Sequence, residues 1–202
     1  MSELLFNELP RPTFRWLRVN HTVSSLAGED TAVQSIAVEA NKNILSPLPV
    51  GTALLDGNYE GANKEAVHVL VEKAEGYAIN VPPKAKEVVG IRIDANARVA
   101  NRFQFIVGEG AELEVQFYVT GSGDALTNVS YLNEYDVKEA GKVVVKKVNL
   151  LPEHVQHIEH RYTKLEEKAD VEYINIEIGG SENILNYYHD LVGQESRMVH
   201  DI

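Results

Sequence analysis

Apolar and polar residues alternate most regularly at Leu113, Val115, Phe117 and Val119, with Glu112, Glu114 and Gln116 interleaved. A period of two sends the two sets to opposite faces of a half-buried strand, so the first set is expected inside and the second outside. Val89, Ile91 and Ile93 repeat the alternation, and Ala78-Ile79-Asn80-Val81 reads as a strand running into Pro82-Pro83. Between Tyr173 and Ile174 the alternation breaks, which predicts a bulge or a corner. The segment 67–71 admits two readings. Ala66, Val67, Leu70 and Val71 share one helical face, but β-branched content favours a strand.

A short polar turn precedes each of the later strands. It reads Gly108-Glu109-Gly110-Ala111, Lys138-Glu139-Ala140-Gly141, Glu166-Glu167-Lys168-Ala169 and Gly193-Gln194-Glu195-Ser196. Ala111, Ala140, Ala169 and Ser196 are spaced by 29, 29 and 27 residues. A period of this length marks stacked units, each burying its apolar face only against its neighbours. Strands without an intervening helical pattern fit one coil of a parallel β-helix. The expected fold is therefore mainly β, a right-handed parallel β-helix or β-solenoid, its hand following the crossover preference of parallel strands. The expected organisation is a lead over residues 1–21, first β segments or an N-terminal cap over 22–76, and the β-helix over 77–202. The lead carries the Leu9-Pro10-Arg11-Pro12-Thr13 turn, whose prolines bar a continuous helix, and Asp56-Gly57-Asn58 reads as a further turn.

Composition narrows the function. With 30 acidic against 19 basic residues the net charge is −11, the wrong balance for gripping a phosphate backbone, so no nucleic-acid partner is expected. There is no cysteine, which excludes disulfides, thiolate metal sites and cysteine nucleophiles. Charges and prolines interrupt the N-terminus where a secretion signal needs an apolar core, and no stretch is long and apolar enough to span a membrane. A cytoplasmic protein is expected, in which the sequons at Asn20 and Asn128 are chance matches.

Three stretches stand together: Leu9-Pro10-Arg11-Pro12-Thr13 with Trp16; Asn80-Val81-Pro82-Pro83 and Gly90-Ile91-Arg92-Ile93 leading into Phe105 to Leu113; and Leu126-Thr127-Asn128 with Glu134, followed by the run from Gln156 to Gly193. In combination they resemble the SufB/SufD family, scaffold subunits of the SUF iron–sulfur cluster assembly system. The likeness covers most of 77–202. It implies a parallel β-helix without catalysis of its own, pairing with a SufB/SufD-like paralogue or with itself. It also implies a SufC-like ATPase bound through a C-terminal helical region. By resemblance, the iron–sulfur cluster is carried transiently at the assembled complex, and no cofactor is bound by this chain alone. The family pattern continues past the position of Ile202, so the chain is expected to be a piece of a longer one. An open last coil would leave strand edges near 192–202 unpaired. A homo-oligomer is expected there, with Tyr188 and His189 near the contact.

No catalytic or metal-binding residue is expected. His154, His157 and His160 are the most tempting cluster. On a strand, residues three apart project to opposite faces, and the plain expectation is exposed polar side chains at a coil corner. His189-Asp190 and His200-Asp201 place imidazole beside carboxylate, but adjacent strand residues point apart and no triad follows. Glu134, in the family-matching segment, is expected to accept hydrogen bonds from backbone amides at a coil turn. Asn128 and Asn186 are expected in stacked-turn hydrogen bonding. Gly108-x-Gly110 and Gly121-x-Gly123 open no helix and read as turns rather than dinucleotide fingerprints. A polysaccharide-acting β-helix enzyme is the competing reading, but it needs a secretion signal and paired groove carboxylates that are not visible. A hexapeptide-repeat acyltransferase needs a much shorter period.

Overall fold

The computed structural model describes residues 3–6, 22–25, 36–55, 64–122 and 127–201. The Leu9–Thr13 turn, Trp16, Asn20 and the Asp56-Gly57-Asn58 turn lie outside them. Strands β1 (Glu3–Phe6) and β2 (Thr22–Ser25) pair antiparallel. Then come β3 (Ile36–Glu39), β4 (Leu45–Leu48) and the single described helix α1 (Lys64–Lys73). The remaining strands are β5 (Gly76–Val81), β6 (Lys86–Asp94), β7 (Val99–Val107), β8 (Glu112–Thr120) and β9 (Thr127–Val137). They continue with β10 (Lys142–Leu151), β11 (Val155–Leu165), β12 (Asp170–Gly179), β13 (Glu182–Leu191) and β14 (Arg197–Asp201).

From β5 onward successive strands alternate between two sheets. Sheet I has the order β14-β12-β10-β8-β6-β3 and sheet II the order β13-β11-β9-β7-β5-β4. All their pairings are parallel except those of β3 with β6 and β4 with β5. This is a parallel β-solenoid, as the repeat predicts. Leu113, Val115, Phe117 and Val119 are buried while Glu112, Glu114 and Gln116 face outward, as the alternation of β8 requires. Between the sheets Phe105 stacks on Tyr135 at 4.5 Å and Phe117 on Tyr131 at 6.0 Å.

The polar turns stack on one another. Lys84, Gly110, Ala140, Lys168 and Glu195 all have φ between 55° and 62°. The Lys84 amide donates to the Glu109 carbonyl at 2.9 Å, Gly110 to Glu139 at 2.9 Å, Ala140 to Glu167 at 2.8 Å and Lys168 to Gln194 at 2.9 Å. Only glycine adopts that backbone without a Cβ penalty, so four of the five turns hold it by stacking. Close approach also fixes Gly193, where a Cβ would lie 2.0 Å from the Glu167 amide nitrogen.

Three expectations are corrected. Register partners Glu112, Lys142, Asp170 and Arg197 are 30, 28 and 27 residues apart, so Gly141, not Ala140, is the equivalent of Ala111 and Ala169. A fifth turn at Lys84 escapes the pattern because Pro83 replaces its polar residues. Second, β12 pairs one-to-one with β10 from Asp170 to Gly179, so there is no bulge at Tyr173. The phase continues with Asn175 inside and Ile174, Ile176 and Ile178 exposed outside, and it is those outward isoleucines that mimic a break. Third, 67–71 is helical. The face of Val67, Leu70, Val71 and Ala74 buries against Leu132 and Tyr162 on the outside of sheet II, and Ala66 packs on Ile158 and Ile184. An isolated strand there would leave its backbone groups without partners, whereas a helix satisfies them internally.

Candidate functional site

The solenoid interior changes character along its axis. In sheet II one inward column runs Tyr77, Phe103, Asn133, Arg161, Tyr187, and in sheet I another runs Ile91, Phe117, Lys147, Asn175. Aromatic and aliphatic side chains thus give way to charged ones at the same stacked positions. Strand alternation does this without any local break: β10 points Val143, Val145, Lys147 and Asn149 inward, and β11 points Val155, His157, Glu159, Arg161 and Thr163 inward.

Glu159, fully buried, is the centre. Its carboxylate accepts from Arg161 Nη2 at 2.6 Å and Nε at 3.1 Å, from Asn133 Nδ2 at 2.9 Å and from the Tyr187 hydroxyl at 3.1 Å. The Lys147 ammonium bridges it to Glu177. The Arg161 guanidinium lies between the rings of Tyr173 and Tyr187, 4.2 and 4.3 Å from their centroids, an arrangement that favours a desolvated cation. Its Nη2 also donates to Asn175 Oδ1 at 3.3 Å, and Asn175 Nδ2 donates to His200 Nε2 at 2.7 Å. Asn149 Nδ2 donates to Glu177 at 2.9 Å and to His157 Nδ1 at 3.1 Å, while His157 Nε2 is hydrogen-bonded to the Tyr131 hydroxyl at 3.1 Å.

Two cations face two carboxylates, so the formal charge cancels. Burial alone would raise the Glu159 pKa, but Arg161 and Lys147 outweigh it and hold the group ionised, well below the usual carboxylate range. Burial, reinforced by the Lys147 charge, lowers His157 to about 3. Burial, with Arg161 and His200, lowers His189 to about 4. Burial followed by the Glu159 charge raises Tyr187 far above the ordinary phenol range. The imidazoles are therefore neutral at physiological pH and the cluster is internally paired. Among the described residues no group of three or more His, Cys, Asp or Glu is arranged to hold a metal ion.

The residues singled out in the sequence are dispersed. His154 sits in the turn before β11, His157 points into the cluster, and His160 lies on the outer face of sheet II, where Asn186 Nδ2 donates to its Nδ1 at 3.2 Å. The opposite projection of His157 and His160 follows from alternation, but their expected exposure is wrong. Both are fully buried, one by the cluster and one on the face that α1 packs against. Glu134 is not at a turn. It is buried in the middle of β9 on that outer face, accepting from the Leu54 amide at 3.2 Å and from Gln104 Nε2 at 2.9 Å. Arg102 completes this lock by donating to the carbonyls of Val71, at 2.7 Å, and Thr52. Asn128, at the start of β9, and Asn186, in β13, are buried in strands rather than in stacked turns. Tyr188 and His189 take opposite faces of β13. Tyr188 stacks obliquely on Tyr162 outside, 5.7 Å away, and His189 lies inside, 5.4 Å from Tyr173 and 6.2 Å from His200. Nothing local in the sequence marks Lys147, Glu159, Arg161 or Glu177. Their signal is phase, polar residues occupying the inward positions of otherwise apolar alternation.

A family model described as SUF system FeS cluster assembly, SufBD core domain, matches residues 91–201, a span that holds every member of the ionic cluster. No curated protein and no solved structure matches the chain significantly. No helix among the described residues is long and apolar enough to cross a membrane.

Proposed function

This chain belongs to the SufBD core-domain family of SUF iron–sulfur cluster assembly, and we propose that it serves that system as a non-catalytic scaffold in the cytoplasm. The observation that carries the reading is the match of residues 91–201 to the SufBD core-domain model, on a parallel β-solenoid whose buried charges are paired among themselves. Stacked-repeat folds present extended outer surfaces to protein partners. The partner is a SufB/SufD-type subunit or a second copy of this chain, with a SufC-type ATPase as the third component. Tyr188 and His189, both on β13, lie near that contact. The outward stripe of Leu150, Ile174, Ile176 and Ile178 on β10 and β12 is exposed, in keeping with work done by protein contact.

The cluster is cargo in this reading. The chain has no cysteine, and imidazoles and carboxylates alone seldom hold iron–sulfur clusters, so the partner supplies the thiolates. Co-expression with a SufB-type subunit and a SufC-type ATPase, followed by size exclusion and iron and sulfide analysis, tests it. A stable complex that retains iron and sulfide, with neither retained by the chain alone, is the expected result. Failure to co-elute with either partner would sink the scaffold reading, and stoichiometric iron and sulfide on the isolated chain would sink the cargo assignment.

A further inference from the structure

The interior of the solenoid is divided. Inward positions of β6 to β8 are apolar apart from the half-buried Glu87 at the start of β6, in register with Leu113, and the buried Asn101 on β7. Among the described residues the fully buried interior charges, Lys147, Glu159 and Arg161, and the three interior imidazoles, His157, His189 and His200, lie on β10 to β14. In a solenoid, stability is close to a sum of coil terms and nearest-neighbour interfaces, so a division of the interior is a division of stability. Apolar burial stabilises its coils at every pH, whereas buried ion pairs contribute little beyond their own desolvation cost.

We propose that the β11–β14 coils form a separate opening unit, released when His157, His189 and His200 take up protons, while the β5–β8 coils stay closed. Burial opposes a charge on each imidazole and outweighs the attraction of the Glu159 carboxylate for His157 and His200. His157 is packed against the Tyr131 hydroxyl on β9, Asn149 on β10 and Asn183 on β13. The carboxylate of Glu177 on β12 stands 3.9 Å away but is already held by the Lys147 ammonium. His189 faces Tyr173 on β12, Thr163 in register on β11, Tyr187 on its own strand and His200 on β14, with the Arg161 charge nearby. His200 meets Asn175 and Tyr173 on β12 and Tyr187 on β13, and Asp201 beside it in the chain points to the other face. A second imidazolium in this layer would repel the first as well as Arg161. Opening the unit brings the imidazoles into water, where they protonate near 6.5, and lays bare the ionic cluster.

A single imidazole that stays neutral inside shifts such an opening equilibrium about thirtyfold between about pH 7.5 and pH 5. The test is amide hydrogen exchange on the whole chain at those two pH values, corrected for the intrinsic pH dependence of exchange. The expected result is an increase of at least about tenfold in opening for β11–β14 amides and less than about twofold for β5–β8 amides. Ordinary end fraying would grade smoothly along the axis and ignore pH. Equal shifts in both halves, or none in either, would overturn the proposal. Replacing the three residues together (His157→Gln, His189→Gln, His200→Gln) should abolish the response, and a folded triple variant that keeps it would overturn the proposal as well. Should that variant fail to fold, the wild-type pattern decides.

Discussion

Lys147 on β10 and Glu159 on β11 form an ion pair whose two side chains are completely shut off from solvent. They come from opposite sheets of the solenoid, twelve positions apart in sequence, and they stand where the preceding coils hold Phe117 and Tyr131. The pair is tenable only because Glu177, Arg161, Asn133 and Tyr187 complete the hydrogen bonding of both partners.

Removing the central carboxylate should therefore be severe. Glu159→Gln leaves Lys147 with Glu177 but takes from Arg161 the carboxylate it pairs with, and the expected loss is roughly 3–5 kcal/mol, the range for stranding a buried charge. Urea unfolding measures it. A loss below about 1 kcal/mol would mean that the cluster hydrates in solution.

Stability should fall in acid before ordinary carboxylates titrate. His157 and His189 have folded pKa values of about 3 and about 4, below the unfolded value of 6.5. The unfolded chain thus binds more protons than the folded one between those values, and stability is lost as pH drops from 6.5 toward 3. It is flat above that window with respect to these groups. For the fully buried His157 the loss reaches about 2 kcal/mol by about pH 5. Melting temperatures at intervals across this range check it, and His157→Gln should flatten the curve.

The stacked turns predict a gain. Ala140 and Lys168 hold positive φ with a Cβ, so Ala140→Gly or Lys168→Gly should stabilise by about 0.5–1 kcal/mol after allowing for the greater freedom of glycine in the unfolded chain. Gly110→Ala, at the equivalent turn, should cost about 1 kcal/mol. Denaturant midpoints of the three variants should move in these opposite directions.

Glu134 should act on residues 50–55 rather than on coil register. Its replacement by alanine strands the Leu54 amide and leaves Gln104 Nε2 with the Thr52 carbonyl at 3.3 Å in place of two acceptors, so proteolysis should begin near Thr52–Leu55 at an enzyme dose that leaves the native protein intact. The expected stability loss is about 1–3 kcal/mol. Cleavage appearing first in the coil turns would contradict this placement.

Much of the fold was legible because a solenoid is written locally. The alternation of β8 and the recurrence of small polar turns each depend on residues close in sequence, and stacking only repeats them. Segment 67–71 was not legible. Its β-branched residues serve a strand or a helix, and the choice rests on Leu132 and Tyr162, which lie far along the chain.

For the site the division is sharper. By itself the sequence determined that alternate residues of β6 and β8 face one way, that adjacent strand residues such as His189 and Asp190 part company, and that no thiolate is present. Only the tertiary structure decided which face is the interior at the end of the solenoid, and hence that Lys147, Glu159, Arg161 and His157 are buried together rather than solvated. A charged residue in alternation is normally taken as the outward one, because desolvating a lone charge is prohibitive. Here the partners that remove that cost arrive from neighbouring coils, across 12 residues from Lys147 to Glu159 and 28 from Glu159 to Tyr187, and no local pattern records them.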